Sequence, residues 1–255
     1  MKLARDTWLI FQRQMLLMIR TPIWIAVGVI QPLFYLFLFA PLLKTMIAPH
    51  SSGYAATYRV YVPGLLTALV IMGGLFTGFT LLGELRSGII ERSRVTPVSR
   101  IALLLGRALR ETVALLVQAV IITLLALPFG LSMPLGNLLL AYLLLALMAL
   151  MASAVSFGIA LAVPSDAALA PVVNTIAQPI ALLSGVLVPL TYGPGWLRAT
   201  AKFNPFYWAV EGMRALFAGA GHVGDAVVWQ SLLIVVVMML AAVGWSARLF
   251  NDRVR

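Results

Sequence analysis

Six apolar runs divide this sequence, at about 23–43, 60–82, 101–127, 138–163, 168–188 and 226–247. Each is close to the roughly 20 residues that the hydrocarbon core of a bilayer requires of a helix. Proline marks several boundaries: Thr21-Pro22 opens the first run, Pro128 ends the third and Pro164 ends the fourth, and proline is at home in a first helical turn. Within the second run, Gly73, Gly74 and Gly78 permit close helix contact. The pattern predicts an all-α integral membrane protein with six transmembrane helices. No internal repeat, low-complexity tract or flexible linker interrupts it, so 1–255 reads as a single domain.

The segments between the runs differ in kind. Residues 2–20 place Lys2, Arg5, Asp6, Gln12, Arg13 and Arg20 within one arc of roughly 120° on a helix, with Trp8, Leu9, Phe11, Met15, Leu16, Met18 and Ile19 on the remainder. This predicts an amphipathic interfacial helix lying on the membrane. Arg5, Asp6 and Arg13 interrupt any early apolar stretch, which argues against a cleaved signal peptide. Residues 84–100, ELRSGIIERSRVTPVSR, form a charged island of 17 residues between the second and third runs. Thr96 and Pro97 suit an N-cap and first-turn proline opening the third helix. Residues 84–95 then form a short surface helix of mixed charge, with Leu85, Ile89 and Ile90 available to enter a groove on a partner. A solvated loop accounts for the same residues. Residues 44–59 and 128–137 are short polar or neutral connections. The stretch 189–225 is apolar and aromatic, with Trp196, Phe203, Phe206, Tyr207, Trp208 and Phe217, and Pro189, Pro194, Gly195, Asn204 and Pro205 break it into pieces. It predicts a re-entrant helical hairpin over about 189–220, at the headgroup layer.

Composition agrees with a membrane protein. Hydrophobic residues make up 62% of the chain, charged residues 10%, and mean hydropathy is +1.02; soluble domains carry about 25% charged residues. The net charge of +10 is accounted for by basic loops facing anionic lipid rather than by nucleic acid. With a cytoplasmic N-terminus, 13 lysines and arginines fall on the inner side and 5 on the outer. The topology expected is multi-pass in the inner (plasma) membrane, with both termini cytoplasmic. The absence of cysteine removes disulfides and thiolate metal sites.

Catalytic chemistry finds little support. His50 and His222 stand apart, at no metal-ligand spacing. No phosphate-binding G-x-x-x-x-G-K-[ST] loop and no G-x-S-x-G serine are present. Glu84, Glu111 and Asp166 lie near expected cytoplasmic helix ends, so no ion-coupling relay is evident at mid-membrane. The polar residues inside the runs are neutral: Gln118, and Asn174 with Gln178, which share a helix face. They serve either as hydrogen-bonding contacts between helices or as lining of a substrate path. A transporter of this composition draws its energy from elsewhere, and a mixed-charge helix joined rigidly to two spans is suited to transmit motion from a cytoplasmic protein.

In order and content these features resemble the type-2 ABC exporter permeases, including the daunorubicin-resistance branch. Residues 5–43 resemble that branch's interfacial helix and first span. Residues 84–100 resemble its E-x-x-x-G-x-x-E-x-x-x-x-T-P-V-S-R segment, through Glu84, Gly88, Glu91, Thr96, Pro97, Ser99 and Arg100. Residues 189–214 resemble its outer hairpin, through Pro189, Trp196, Leu197, Asn204, Pro205 and Arg214. Two departures stand out: Arg92, Ser93 and Arg94 where leucine is common, and NPFYW where NP-[LF]-[TS]-Y is common.

The resemblance implies that two copies of this chain, as a homodimer among membrane lipids, form the pathway. A separate ABC ATPase subunit, holding the ATP and Mg, drives it through the coupling segment, where Glu84, Arg86, Gly88, Glu91, Arg92, Arg94, Thr96, Pro97 and Arg100 are the candidate residues. No cofactor is expected on this chain and no enzymatic activity of its own. The cargo implied is amphiphilic, drug-like or lipid-like. Export of a lipid-linked glycan is the alternative, followed by a membrane-bound enzyme or a non-transporting scaffold.

Overall fold

The computed structural model describes residues 2–21, 23–47, 53–86, 100–163, 165–218 and 225–253. Among them, secondary structure is entirely helical. In chain order the helices are α1 (Lys2–Arg20), α2 (Ile23–Ile47), α3 (Ala55–Phe76), α4 (Gly78–Arg86), α5 (Arg100–Ala126), α6 (Leu135–Ala162), α7 (Asp166–Leu183), α8 (Gly195–Ala201), α9 (Pro205–Ala218) and α10 (Ala226–Arg253). Single 3₁₀ turns occupy Leu127–Phe129 and Leu190–Tyr192.

Five stretches are long and apolar enough to cross a membrane: Ala26–Thr45, Ala55–Glu84, Ile101–Phe129, Leu135–Ala162 and Ala226–Phe250. The sixth apolar helix, Ala167–Leu183, is shorter. The apolar run predicted a helix to 188, but α7 stops at Leu183 because Gly185 takes a left-handed φ of 69°, a conformation glycine adopts at little strain. At the other end of the chain, α10 runs past 247 to Arg253. Its last turns stay helical because Phe250 is buried with Leu81, Leu104, Ala108, Phe157 and Leu161 in a small second core.

The centre of the main core is α3 and α6, which pack on one another and, between them, on α2, α5, α9 and α10. Small residues set these approaches. A Cβ on Gly74 would lie 2.5 Å from Ala152 Cβ, and one on Gly158 would enter the Trp245 ring at 2.2 Å. The tightest case is Gly64, where a Cβ would fall 1.9 Å from the Val186 carbonyl oxygen. Alanine in a helix interior is ordinarily favoured over glycine by about 1 kcal/mol. At Gly64 the sign reverses, because backbone rather than a flexible side chain must move. Gly64→Ala is expected to destabilise the fold by about 1–3 kcal/mol, read as a lower Tm in detergent. Gly244→Ala, with nothing within 4 Å of the added carbon, is expected not to destabilise it.

Two expectations are revised. The second apolar run does not form one straight helix: it breaks at Thr77, between α3 and α4. The N-terminal helix forms, but a seam of Thr7, Gln14 and Met18 is buried and α1 packs against α5, with Ile10 and the Thr7 carbonyl close over Gly106. Leu9 and Leu16, assigned to the apolar side, are exposed and at 100° per residue fall inside the charged arc. Periodicity groups the charged residues but does not locate the contact seam, because that seam holds a threonine and a glutamine.

Candidate functional site

A cavity of about 600 Å³ opens between α2, α3, α5 and α7. α3 supplies its back wall through Leu65, Ala68, Leu69, Met72, Gly73 and Phe76. α2 contributes Val27, Gly28, Gln31, Pro32 and Tyr35; α5 contributes Gln118; α7 contributes Asn174 and Gln178. The structure thus brings Gln118, Asn174 and Gln178, distant in sequence, around one space. They differ in setting. Gln118 is buried against α2, where a Cβ on Gly28 would come within 2.6 Å of its Nε2. Asn174 and Gln178 are exposed on α7, and Asn174 Nδ2 donates to the Ala170 carbonyl of its own helix at 3.0 Å. Gln31, overlooked in the sequence, completes the set of amides. It was as visible as the others, a neutral polar residue within an apolar run. The described lining carries four amides and one phenol, and no aspartate, glutamate, lysine, arginine or histidine.

Beyond the cavity, at the end of α4, lies a partly buried polar cluster. Arg107 of α5 forms an ion pair with Glu84 of α4. Gln14 Nε2 of α1 donates to the other Glu84 oxygen at 3.2 Å. Arg110 pairs with Glu111 beside them, and Thr77, Thr80 and Phe157 close a small pocket. Withdrawing charge from water is tolerated when it is paired, and the Glu84 pairings tie three helices together. Glu84 was legible in the sequence; Gln14 and Arg107 were not, since their partnership depends on how α1 and α5 cross.

Of the candidate coupling residues, Glu84 and Arg86 lie in the last turn of α4, with Arg86 exposed, and Arg100 is the first residue of α5. Gly88, Glu91, Arg92, Arg94, Thr96 and Pro97 lie outside the described residues, as do His50 and His222. Among the described residues no cluster of three or more His, Asp or Glu side chains could hold a metal.

The hairpin residues form a junction rather than part of the cavity. Asn204 Nδ2 donates to the Ile180 carbonyl at 2.8 Å and to Ser184 Oγ at 2.9 Å, and its Oδ1 accepts from Phe206 N at 3.0 Å. Pro205 opens α9. Arg214 donates to the Gly185 carbonyl at 2.6 Å and pairs with Glu211 at 3.3 Å. Burial pushes the Arg214 guanidinium below its ordinary range, and the Glu211 carboxylate opposes that. Asn204 and Arg214 therefore bind the end of α7 to the start and the middle of α9. Pro189 precedes the 3₁₀ turn, and Trp196 is exposed on α8.

Comparison with known proteins agrees with this architecture. The chain is 26% identical over 216 residues to the transport permease ycf38 named in Cyanophora paradoxa, covering 84% of this chain and 74% of that one. It is 29% identical over 204 residues to the ycf38 of Pyropia yezoensis, covering 78% and 69%. It is 24% identical over 199 residues to the daunorubicin resistance ABC transporter permease DrrB1 of Streptomyces coeruleorubidus, covering 77% and 69%. The ABC-2 type transporter family matches residues 5–218, from the fourth residue of α1 to the last of α9. The chain belongs to the ABC-2 type transporter family, as a multi-pass membrane permease.

Proposed function

We propose that this chain is the membrane-spanning subunit of an ATP-driven exporter, energised by a separate ATPase subunit and moving an amphiphilic substrate out of the cell. The family match over residues 5–218 carries the reading; ABC-2 permeases work with ATPase subunits. Both termini face the cytoplasm across the inner membrane, and α7 with the turn after it completes a sixth crossing, closed on the outside by the α8–α9 hairpin. Two copies form the pathway. In support, α2 and α7 flank the cavity with exposed faces that include Gln31, Tyr35, Asn174 and Gln178. Polar side chains at membrane depth favour a protein partner or a wet path over hydrocarbon. The uncharged lining suits a substrate that presents neutral hydroxyl, carbonyl or amide groups beside a large apolar surface.

The reading is tested by purifying the chain with its ATPase partner into proteoliposomes and measuring ATP hydrolysis against added amphiphile. Daunorubicin is the first probe, since one relative is named for resistance to it. Stimulated hydrolysis with vectorial uptake supports an exporter. Hydrolysis indifferent to permease and amphiphile contradicts it. Within this assay, Gln118→Leu is expected to raise the probe concentration for half-maximal stimulation about 2–10-fold, the value of one lost hydrogen bond. An unchanged half-point removes Gln118 from the substrate path.

A further inference from the structure

The break between α3 and α4 has the composition of a switch. In a continuous helix Gly78 N would donate to the Gly74 carbonyl. Here it donates instead to Ser156 Oγ of α6 at 2.8 Å, and that hydroxyl in turn donates to the Leu75 carbonyl. The Gly74 carbonyl accepts from Thr77 N at 3.3 Å and from Thr77 Oγ1 at 2.7 Å. Gly78 N and the Gly74 and Leu75 carbonyls therefore have substitute partners at the break, and the site is buried: Ser156 is 0% and Thr77 3% exposed. Straightening would exchange Ser156 Oγ for the Gly74 carbonyl at Gly78 N, and would move Thr77 N and Thr80 N from the carbonyls of Gly74 and Thr77 to those of Gly73 and Phe76. A discrete exchange of partners at a buried break is what a helix hinge needs.

The position of the break joins the two parts of the site. α4 leads directly into residues 87–99, and its last turn is held by the Glu84–Arg107–Gln14 cluster. α3 is the back wall of the cavity, and its lining residue nearest the break is Phe76. Phe76 stacks on Phe79 across the break, with ring centroids 5.7 Å apart and planes 14° apart. A change in the angle of α4 moves Phe79, and through it Phe76.

We propose that the α3–α4 junction is a two-state hinge in which Ser156 is the positioning residue, converting displacement of α4 into rearrangement of the cavity wall at Phe76. The proposal rests on the reading of residues 84–100 as the point where the ATPase acts. Ser156 is not among the residues that line the cavity. It holds one of the two hinge states.

The chain has no cysteine, so single introduced thiols report without background. Met72→Cys reports on the cavity wall and Gly83→Cys, with open space around it, on α4. Each is labelled with a maleimide in the permease–ATPase complex, without nucleotide and trapped with ATP and vanadate. In the parent background both labelling rates are expected to change on trapping. With Ser156→Ala the response at 83 persists, and the response at 72 falls about 2–10-fold, the equivalent of one hydrogen bond; Ser156→Thr, which keeps the hydroxyl, restores it. Gly78→Ala provides an independent variant should Ser156→Ala insert poorly. Its Cβ would lie 2.7 Å from the Ser156 backbone oxygen and force α4 off α6, with the same loss expected at 72 alone. Retention of both responses in the variants, or loss of both, overturns the hinge while leaving the coupling reading intact. No response at either position in the parent background overturns the coupling reading, and the hinge with it.

Discussion

Glu91→Ala, and separately Gly88→Trp, are expected to abolish transport while the chain remains inserted and bound to its ATPase partner. The expectation rests on the proposed coupling role of 84–100 and on the residues around it. The described part of α4 runs to Arg86 and that of α5 starts at Arg100, and the Glu84–Arg107 pair joins the two helices on either side of the 13 residues between. Arg86, Arg92, Arg94 and Arg100 make the segment basic, and Glu91 is the acidic residue among them after Glu84. On the proposed coupling reading, Glu91 would meet a basic groove on the partner, and Gly88, without a side chain, would admit close approach. Transport of the probe in proteoliposomes, measured beside co-purification of the ATPase, checks the prediction. Normal transport by both variants with the partner bound would remove 84–100 from the coupling path.

The second large effect concerns the base itself. Arg107→Leu takes the guanidinium away from a carboxylate that is only 23% exposed, from a position 8% exposed. Removing one partner of a buried pair typically costs about 3–5 kcal/mol, whereas replacing both with apolar residues is often neutral. Arg107→Leu alone is therefore expected to lower the Tm strongly, and Glu84→Leu/Arg107→Leu to recover most of the loss. Six tryptophans give the unfolding signal in detergent. A double mutant no more stable than Arg107→Leu alone would show that the two residues are not energetically coupled. Gln14→Leu, which removes one hydrogen bond to Glu84, is expected to cost about 1 kcal/mol.

These effects differ in how readable they were from the chain. The membrane class, the all-helical architecture and most helix positions follow from run lengths, because lipid forces each crossing segment to satisfy its own backbone in helix. The candidate polar residues Gln118, Asn174 and Gln178 were visible as neutral exceptions in apolar runs. Their convergence on one cavity was not, since it depends on α2, α5 and α7 arranging around α3. The end of α7 at Leu183 was also hidden. Apolarity continues to 188, and the stop is imposed by Gly185 and secured from 20 to 30 residues away by Asn204 and Arg214.

Residues 5–218 were thus sufficient to fix the family, because it is written in local hydrophobicity and in short motifs. Only the tertiary structure decided which face of α1 meets α5, which arginine answers Glu84, and that Ser156 occupies a break in α3–α4. Each of these is a choice of partner across tens of residues. Helical periodicity constrains direction around an axis; it does not say which helix lies there.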